Sequence, residues 1–201
     1  MIREEQAVDF PFQIRQKFNV LGKQAMAELV SPLIHAGEHL FLDASSTALT
    51  VSKALKEKSA LTVVTNSLEI LAQLSDVSDW RVICIGGEMS ENYLAFLGSI
   101  AERQIRQYYV DTMIFSCKAL DMELGPMESR LEFAGIKQEM AERSKRRILV
   151  ADSSKFDKTS LIVGCGWDKI DMLVTDAQPP AAWKEHLSAV GVECIYPGSA
   201  A

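Results

Sequence analysis

Hydrophobic positions along the chain alternate between two periodicities. From Asn19, a residue type that often caps helices, apolar side chains recur about every 3.6 residues as far as Ile34, and Gly37 ends the stretch. The run from His39 to Leu42 that follows is short and mostly apolar, which is typical of a buried strand. The first dozen residues have no helical period, and we expect them to form an extended arm or linker.

The same alternation continues along the rest of the chain. Apolar runs rich in β-branched residues alternate with helical patterns, which indicates an α/β fold with a mostly parallel sheet covered by helices on both faces. No repeat or long linker interrupts this pattern, so we expect one domain. The pattern predicts helices over 46–55, 67–74, about 99–108, 128–145 and from about 180, and strands over 61–65, 80–85, 110–116, 147–151, 161–163, 172–175 and 192–195.

Composition and charge narrow the class of protein. The chain has 201 residues, of which 48% are hydrophobic and 24% charged, so disordered, collagen-like and disulfide-scaffold classes are excluded. The net charge of −6 gives a surface that repels a phosphate backbone, and this chain is not expected to bind nucleic acid by itself.

Cysteine usage and the chain start indicate the compartment. Each cysteine lies in or beside an apolar run and none forms a CxxC pair, so we expect buried free thiols in a reducing environment. No segment approaches the roughly 18 apolar residues of a membrane span, and the acidic start MIREEQAVDF does not resemble a signal peptide. We therefore expect a cytoplasmic protein without a membrane partner. The cysteines are Cys84, Cys117, Cys165 and Cys194.

Polar loops follow several of the predicted strands, at the edge where open parallel sheets bind ligands. The loop after the first strand runs directly into a helix, so its free N–H groups and the hydroxyls of Ser45, Ser46 and Thr47 suit a phosphate. Ordinary helix capping explains the same hydroxyls.

The other three loops have the same two interpretations. Residues 65–67 either line a pocket or form a turn and a helix cap, and Gly86 with Gly87 allows either close approach to a ligand or a turn with positive φ. Asp152 and Lys155 either bind a sugar hydroxyl and a phosphate or form a solvated turn.

Three further features are interpreted as structural. His35 and His39 lack a third ligand, so no zinc site is expected. The basic run 143–147 lies at a predicted helix end, where cations favour the helix dipole. Three glutamates have no matched acid or base partner and are expected to be surface carboxylates: Glu123, Glu128 and Glu132.

Taken in order, the motifs resemble the effector-binding domain of DeoR-type bacterial regulators of sugar metabolism. That domain is related in fold to ribose-phosphate isomerase, glucosamine-phosphate deaminase and CoA transferase, so the resemblance implies a three-layer fold of that kind. It covers about residues 10–175. The matching segments are Pro11-Phe12 with Arg15, Lys23, FLDASST, VVTNS, ICIGG, YLAFLGS, VDTMIFSCKALDMELG, LEFAGIKQEM and ILVADSSKFDK.

The resemblance implies a sensor that binds a phosphorylated sugar or related metabolite, with no catalytic residue, cofactor or metal. One departure concerns Ser45, where the family usually has glycine, and an added Cβ is expected to alter the approach of a phosphate. The implied ligand-binding residues are Asp43, Ser45, Ser46 and Thr47 in the phosphate loop, Thr65 and Asn66 in the wall, Gly86 and Gly87 in the floor, Lys23, Asp152 and Lys155 around the ligand, and Glu132 and Lys137 on a closing helix.

Family members begin with a winged helix-turn-helix, and no segment before Phe10 resembles one. We therefore expect residues 1–18 to be a linker or arm and residues 19–201 to be the sensor domain, either cut from a longer protein or occurring alone. Operator DNA would be bound through the N-terminal domain only. Paired half-sites imply a homodimer or homotetramer.

Two other functions compete with this one. A sugar-phosphate isomerase or deaminase needs a positioned carboxylate, for which Glu88 and Glu91 are the candidates, but no histidine-bearing loop accompanies them. A nucleotide-binding Rossmann protein ranks last, because no G-x-G-x-x-G follows any predicted strand.

Overall fold

The computed structural model describes residues 10–199, and its centre is a sheet of seven strands that all run parallel. The helices are α1 (Phe12–Arg15), α2 (Val20–Val30), α3 (Ser46–Ala54), α4 (Leu68–Gln73), α5 (Ser99–Ile105), α6 (Leu131–Glu142) and α7 (Ala181–Ala189), with short 3-10 turns at Ser31–Leu33, Leu55–Glu57, Ser153–Lys155 and Trp167–Lys169. The strands are β1 (His39–Leu42), β2 (Thr62–Thr65), β3 (Arg81–Cys84), β4 (Glu88–Ser90), β5 (Ala95–Leu97), β6 (Val110–Phe115), β7 (Ala119–Asp121), β8 (Gly125–Glu128), β9 (Ser144–Val150), β10 (Ile162–Val163), β11 (Met172–Val174) and β12 (Glu193–Ile195).

The main sheet has the strand order β12-β11-β9-β6-β1-β2-β3. From β1 the chain builds outward through β2 and β3, whereas β6, β9, β11 and β12 extend the sheet on the other side. The connections that leave β1 and β6 therefore diverge, and they open a crevice at the carboxyl ends of these two strands. A reversal of strand order of this kind is where open α/β sheets bind ligands.

Each face of the sheet carries its own hydrophobic layer. Along β1, Phe41 belongs to the layer that contains Trp183 of α7 and Ile136 of α6. Its neighbours Leu40 and Leu42 belong to the opposite layer, under α2, α3 and α4. Side chains of a strand alternate between faces, so both faces of the sheet are covered. The prediction of an α/β domain with helices on both faces is confirmed.

Helix starts agree closely with the sequence pattern. Asn19 caps α2 through its side chain, which accepts a hydrogen bond from the Gly22 N–H, while Ser45 and Ser67 cap α3 and α4 in the same way. All eight predicted strands occur, each within three residues of its expected bounds. These starts were predictable because a capping residue next to an apolar period is a local signal.

Four of the five antiparallel strands were not predicted, namely β4, β5, β7 and β8, whereas β10 was predicted over 161–163. Residues 88–98, for which the sequence pattern predicts neither a helix nor a strand, contain the hairpin β4–β5. Residues 119–128 and 162–163 form a three-stranded sheet in the order β10-β8-β7. The helix predicted from residue 128 begins at Leu131 instead, because Glu128 ends β8. These four strands have three or four residues each, too few for an alternating pattern, whereas the short strands that were predicted lie in apolar runs rich in β-branched residues.

The start of the described chain packs against the domain instead of extending away from it. Phe12 is fully buried, and its backbone N–H donates to the Asn92 carbonyl at 2.7 Å. The segment then turns at Asn19, whose backbone is left-handed with φ 44°. The extended arm was expected over residues 1–12, of which 1–9 lie outside the described part, and Phe12 begins the helix α1 instead of continuing an extended chain.

The cysteines follow the expectation only in part. Cys117 and Cys165 are buried, Cys194 is intermediate and Cys84 is exposed, and all are free thiols within residues 10–199. Over the same residues, no helix combines the length and apolarity needed to cross a bilayer. No group of three or more metal-ligating side chains occurs among them either.

Candidate functional site

A cavity of about 510 Å³ lies at the carboxyl edge of the sheet, where the strand order reverses. Its walls come from the loops after β1, β6 and β9, from the β4–β5 hairpin, and from the segment before α2. Residues from these loops include Ser45, Ser46 and Thr47 after β1, Ser116, Cys117 and Lys118 after β6, and Asp152, Ser154 and Lys155 after β9.

Asp43 organises the loop after β1. One carboxylate oxygen accepts from the Ser45 N–H at 3.2 Å and from the Ser45 hydroxyl at 2.6 Å, and the other accepts from the Ser116 N–H at 3.3 Å. Asp43 is 1% exposed and lies behind the wall of the large cavity. It therefore braces the loops after β1 and β6 against each other.

Ser45 adopts an ordinary extended backbone, with φ −89° and ψ 151°. Any residue can take this conformation, so a glycine is not required there. The Ser45 hydroxyl accepts from the Ala48 N–H at 3.0 Å while it donates to Asp43. The serine that departs from the family pattern thus causes no backbone strain, and its side chain is used in capping α3.

Lys155 joins two of the loops. Its ammonium donates to the Ser116 hydroxyl at 2.9 Å and to the Cys117 carbonyl at 2.8 Å, and it lies 3.9 Å from Asp152. Asp152 itself accepts from the Ser154 N–H at 3.1 Å. Burial raises the pKa of the Cys117 thiol to about 12, so this thiol stays protonated beside the cavity.

A buried ion pair lies next to these loops. Lys137 of α6 contacts Glu128 of β8, lies 3.3 Å from Asp43, and donates to the Ser116 carbonyl at 2.6 Å. Burial lowers the pKa of Lys137, but Glu128 and Asp43 raise it by more, so the net shift is upward and the ammonium stays charged. The expectation that Glu128 is a surface carboxylate is wrong, because the strand β8 carries it inward.

Lys23 occupies the opposite wall. It is buried, and its ammonium donates to the carbonyls of Arg15 at 2.6 Å and Phe18 at 2.7 Å. Burial, together with the nearby charge of Lys155, lowers the pKa of Lys23 to about 8, although Asp152 acts in the other direction. Lys23 is therefore partly deprotonated near pH 8.

A second, smaller cavity of about 30 Å³ adjoins the first through shared residues that include Ser45, Tyr93 and Lys137. Asn66 lines it and is 1% exposed. The Asn66 amide donates to the Phe96 carbonyl at 2.9 Å, whereas its Oδ1 has no hydrogen-bond partner among the described residues. Asn66 thus presents an acceptor to the smaller cavity.

Four implied ligand-binding residues lie outside both cavities. Thr65 donates to the Leu42 carbonyl at 2.7 Å inside the sheet, and Glu132 is exposed and pairs with Arg130. Gly86 and Gly87 follow β3, at the edge of the sheet, two strands away from β1. An added Cβ on Gly87 would lie 2.5 Å from the Leu97 carbonyl oxygen, so backbone packing explains this glycine. The four are Thr65, Gly86, Gly87 and Glu132.

Other lining residues were not identified from the sequence. Ser116, Cys117 and Lys118 follow β6, and their place at the site depends on β6 lying beside β1. The alternation of helices and strands does not give strand order. The signal that could have found them is the polar run after a strand, of the same kind that identified Asp152 and Lys155.

The charge of the lining is opposite to that of the chain. Six cationic and two acidic side chains line the large cavity, although the chain carries a net charge of −6. A site of this composition attracts anions. The cationic residues are Arg15, Lys23, Lys118, Lys137, Lys155 and Lys158, and the acidic residues are Glu128 and Asp152.

Comparison with known proteins identifies the family. The family model described as the DeoR C terminal sensor domain matches residues 19–177. The chain belongs to the DeoR family. This DeoR sensor domain is 36% identical over 170 residues to the transcriptional repressor AccR of Agrobacterium fabrum, which covers 84% of this chain and 66% of that protein. It is 34% identical over 169 residues to the L-fucose operon activator of Haemophilus influenzae, with 84% and 68% covered.

The DeoR sensor domain spans about two thirds of the length of these curated relatives. Another relative, the uncharacterized HTH-type transcriptional regulator YulB of Bacillus subtilis, is 34% identical over 174 residues, with 87% of this chain and 67% of that protein covered. The relatives are thus transcriptional regulators.

Solved structures support the fold. The β subunit of eIF2B from Chaetomium thermophilum superposes with a TM-score of 0.54 at 17% identity, over 86% of this chain and 53% of that one. The eIF-2B protein of Pyrococcus horikoshii gives 0.53 at 15% identity, over 76% and 61%.

Proposed function

We propose that this DeoR sensor domain binds a phosphorylated sugar or a related phosphorylated metabolite in the large cavity. The observation that carries the proposal is the cationic lining of a cavity at the strand-order reversal of an acidic chain. The first turn of α3 adds backbone N–H groups and the hydroxyls of Ser46 and Thr47, and a helix N-terminus favours an anion by about 0.3 to 1 kcal/mol.

In this proposal, Asp152 gives the cavity a group that binds the sugar part of the ligand. Asp152 lies beside Lys155, so a carboxylate that accepts a sugar hydroxyl stands next to a cation that binds phosphate. A cavity of about 510 Å³ has room for both parts of such a ligand. This combination favours a sugar phosphate over inorganic phosphate alone.

The domain acts in this proposal as a sensor without turnover. Glu88 and Glu91, the carboxylates considered for an isomerase, are exposed and lie outside both cavities. Glu128 is held by Lys137 and so is a poor proton shuttle. NMR of pentose and hexose phosphates incubated with the protein is expected to show no isomer, and robust turnover that Glu128→Gln abolishes would contradict this.

The same proposal assigns operator binding to a part of the protein beyond this domain. Two of the relatives are a transcriptional repressor and an operon activator, which supports this assignment, as does the net negative charge of this chain. Residues 1–18 would connect the parts and residues 19–201 would sense, in a homodimer or homotetramer. Ligand binding would change DNA affinity with a coupling of about 1 to 3 kcal/mol.

Thermal unfolding with added ligands tests the site. Glucose 6-phosphate, ribose 5-phosphate and related sugar phosphates are expected to raise the Tm, and the free sugars are not, because a ligand of the native state adds RT ln(1 + [L]/Kd). The variant Ser46→Ala/Thr47→Ala is expected to reduce the shift. Thr50→Ala is the control, since Thr50 lies on the same helix outside the lining. Equal shifts with free sugars would exclude the phosphate site.

A further inference from the structure

The segment 10–18 forms one wall of the large cavity. Phe10, Arg15 and Phe18 all line it, opposite the loops after β6 and β9. The matched sensor segment begins only at residue 19, so this wall lies outside it. We call residues 10–18 the arm. A ligand that fills the cavity therefore contacts the arm and the body of the domain together.

One buried side chain fastens the arm through its backbone. The ammonium of Lys23, on α2, donates to the carbonyls of Arg15 and Phe18 at 2.6 and 2.7 Å. The same Arg15 carbonyl lies 3.5 Å from the hydroxyl of Ser46, on the first turn of α3. Two of the three N–H donors of an ammonium are thus used on the arm. Lys23 acts on the position of the arm and in this way on the shape of the cavity.

The arm has a second attachment away from the cavity. Phe12 is fully buried in the layer beneath α2 and α3, and it lines neither cavity. Its backbone N–H donates to the Asn92 carbonyl at 2.7 Å. Next to it, the Arg15 guanidinium lies 4.7 Å from the centre of the Tyr93 ring, and Tyr93 lines both cavities. Of these contacts, those of Phe12 hold the arm where a ligand in the cavity does not touch it.

We propose that Lys23 is a positioning residue for the arm, and that docking of the arm and binding of the anionic ligand stabilise each other. The coupling rests on the proposed function, because it requires a ligand in the large cavity. It follows from shared contacts, since one molecule touches the arm and the loops after β6 and β9. By linkage, the docked domain binds the ligand more tightly than the undocked domain by the factor by which the ligand strengthens docking, so a change that weakens docking lowers ligand affinity by at most that factor.

Hydrogen–deuterium exchange of the whole chain measures docking of the arm. Exchange of residues 10–18 is compared with that of β9 in the wild type, Lys23→Met, Phe12→Leu and Ile14→Ala. Ile14 is the matched control, because it lies on the arm, is 43% exposed and lines neither cavity. Lys23→Met and Phe12→Leu are expected to accelerate exchange of the arm by about tenfold with β9 unchanged, and Ile14→Ala to have no effect.

The same four proteins are then titrated with ribose 5-phosphate, glucose 6-phosphate and inorganic phosphate by calorimetry. A probe that binds is expected to slow exchange of the wild-type arm by about fivefold or more. Phe12→Leu is expected to bind that probe more weakly than the wild type, by at most the same factor, although Phe12 lines neither cavity. This loss separates coupling through the arm from simple removal of a cation at Lys23.

Each outcome of these experiments decides one part of the proposal. If Lys23→Met leaves the exchange of the arm unchanged, Lys23 does not position the arm, whether or not any probe binds. A probe that binds the wild type but leaves arm exchange unchanged overturns the coupling and leaves the proposed function standing. If no probe binds, the proposed function fails and the coupling with it, while the exchange data still decide the role of Lys23.

Discussion

Lys155 donates a hydrogen bond to the hydroxyl of Ser116 across 2.9 Å and so ties the loop after β9 to the loop after β6. These strands are neighbours in the sheet, and β6 also borders β1. The contact thus places a cation at the strand-order reversal, next to the first turn of α3. Four predictions follow from this arrangement and its neighbours.

Loss of the Lys155 charge is expected to weaken sugar-phosphate binding. Hydrogen bonds to charged groups contribute about 1.5 to 3 kcal/mol, so Lys155→Met is expected to lower the affinity for a binding sugar phosphate by about 10- to 100-fold. Isothermal titration calorimetry measures this. Lys53→Met is the control, because Lys53 is exposed at the last turn of α3 and lies outside the lining. An equal loss in both variants would mean that overall charge decides affinity.

The buried pair of Lys137 and Glu128 is expected to matter for stability. Removing one partner leaves a buried charge, so Lys137→Met is expected to lower the free energy of unfolding by about 3 to 5 kcal/mol. The double variant Lys137→Met/Glu128→Leu is expected to recover more than half of this. Asp43 keeps its three hydrogen bonds from Ser45 and Ser116 in both variants. Urea denaturation of the wild type, the single variants and the double variant gives the free energies of unfolding. A loss in the double variant equal to the sum of the two single losses would contradict the pairing.

Lys23 is expected to make stability depend on pH. Its pKa is lowered to about 8 from the usual 10.5, chiefly by burial and also by Lys155, with Asp152 opposing and Arg15 reinforcing the shift. Between these values the unfolded chain binds a proton that the folded chain has lost, so stability from this group rises with pH, by up to about 1 kcal/mol per unit.

The comparison of wild type with Lys23→Met isolates this group. The difference in the free energy of unfolding between the two proteins is expected to shift in favour of the wild type from pH 8 to pH 10. Urea denaturation at both pH values gives the difference. A neutral amine still has two N–H donors for the arm carbonyls. A difference that is constant with pH would show that Lys23 keeps its ordinary pKa.

Ser45 is expected to stabilise the loop after β1. Ser45→Gly removes the cap of α3 and the hydrogen bond to Asp43, and is expected to cost about 1 to 2 kcal/mol. The Ser67 hydroxyl caps α4 by accepting from the Ile70 N–H at 3.3 Å, and Ser67→Gly removes this cap alone. Ser67→Gly is therefore expected to lower the free energy of unfolding by less than Ser45→Gly. Thermal denaturation ranks the two, and a stabilising effect of Ser45→Gly would contradict the bracing role of Asp43.

Local signals account for what was predictable. The helix starts at Asn19, Ser45 and Ser67 follow from a capping residue beside an apolar period. A second signal, polar loops that directly follow predicted parallel strands, placed Ser46, Thr47, Asp152 and Lys155 at one edge of the sheet, and all four line the cavity.

Contacts that depend on strand order were not predictable. Glu128 meets Lys137 because β8 turns back into a small antiparallel sheet before α6, and neither strand length nor period signals this. Ser116 reaches the site because β6 lies beside β1. The docked arm was not predictable either, because Lys23 recognises backbone carbonyls, which any sequence carries, and Phe12 donates to the distant carbonyl of Asn92.

The contrast between an acidic chain and a cationic cavity has a kinetic consequence. An anionic metabolite is repelled by most of the surface, while the cavity mouth focuses the field toward its lysines and raises the rate of productive encounter. Added salt screens this attraction over about 10 Å at 0.1 M. If the proposed function holds, the association rate of a sugar phosphate with this domain is therefore expected to fall as ionic strength rises.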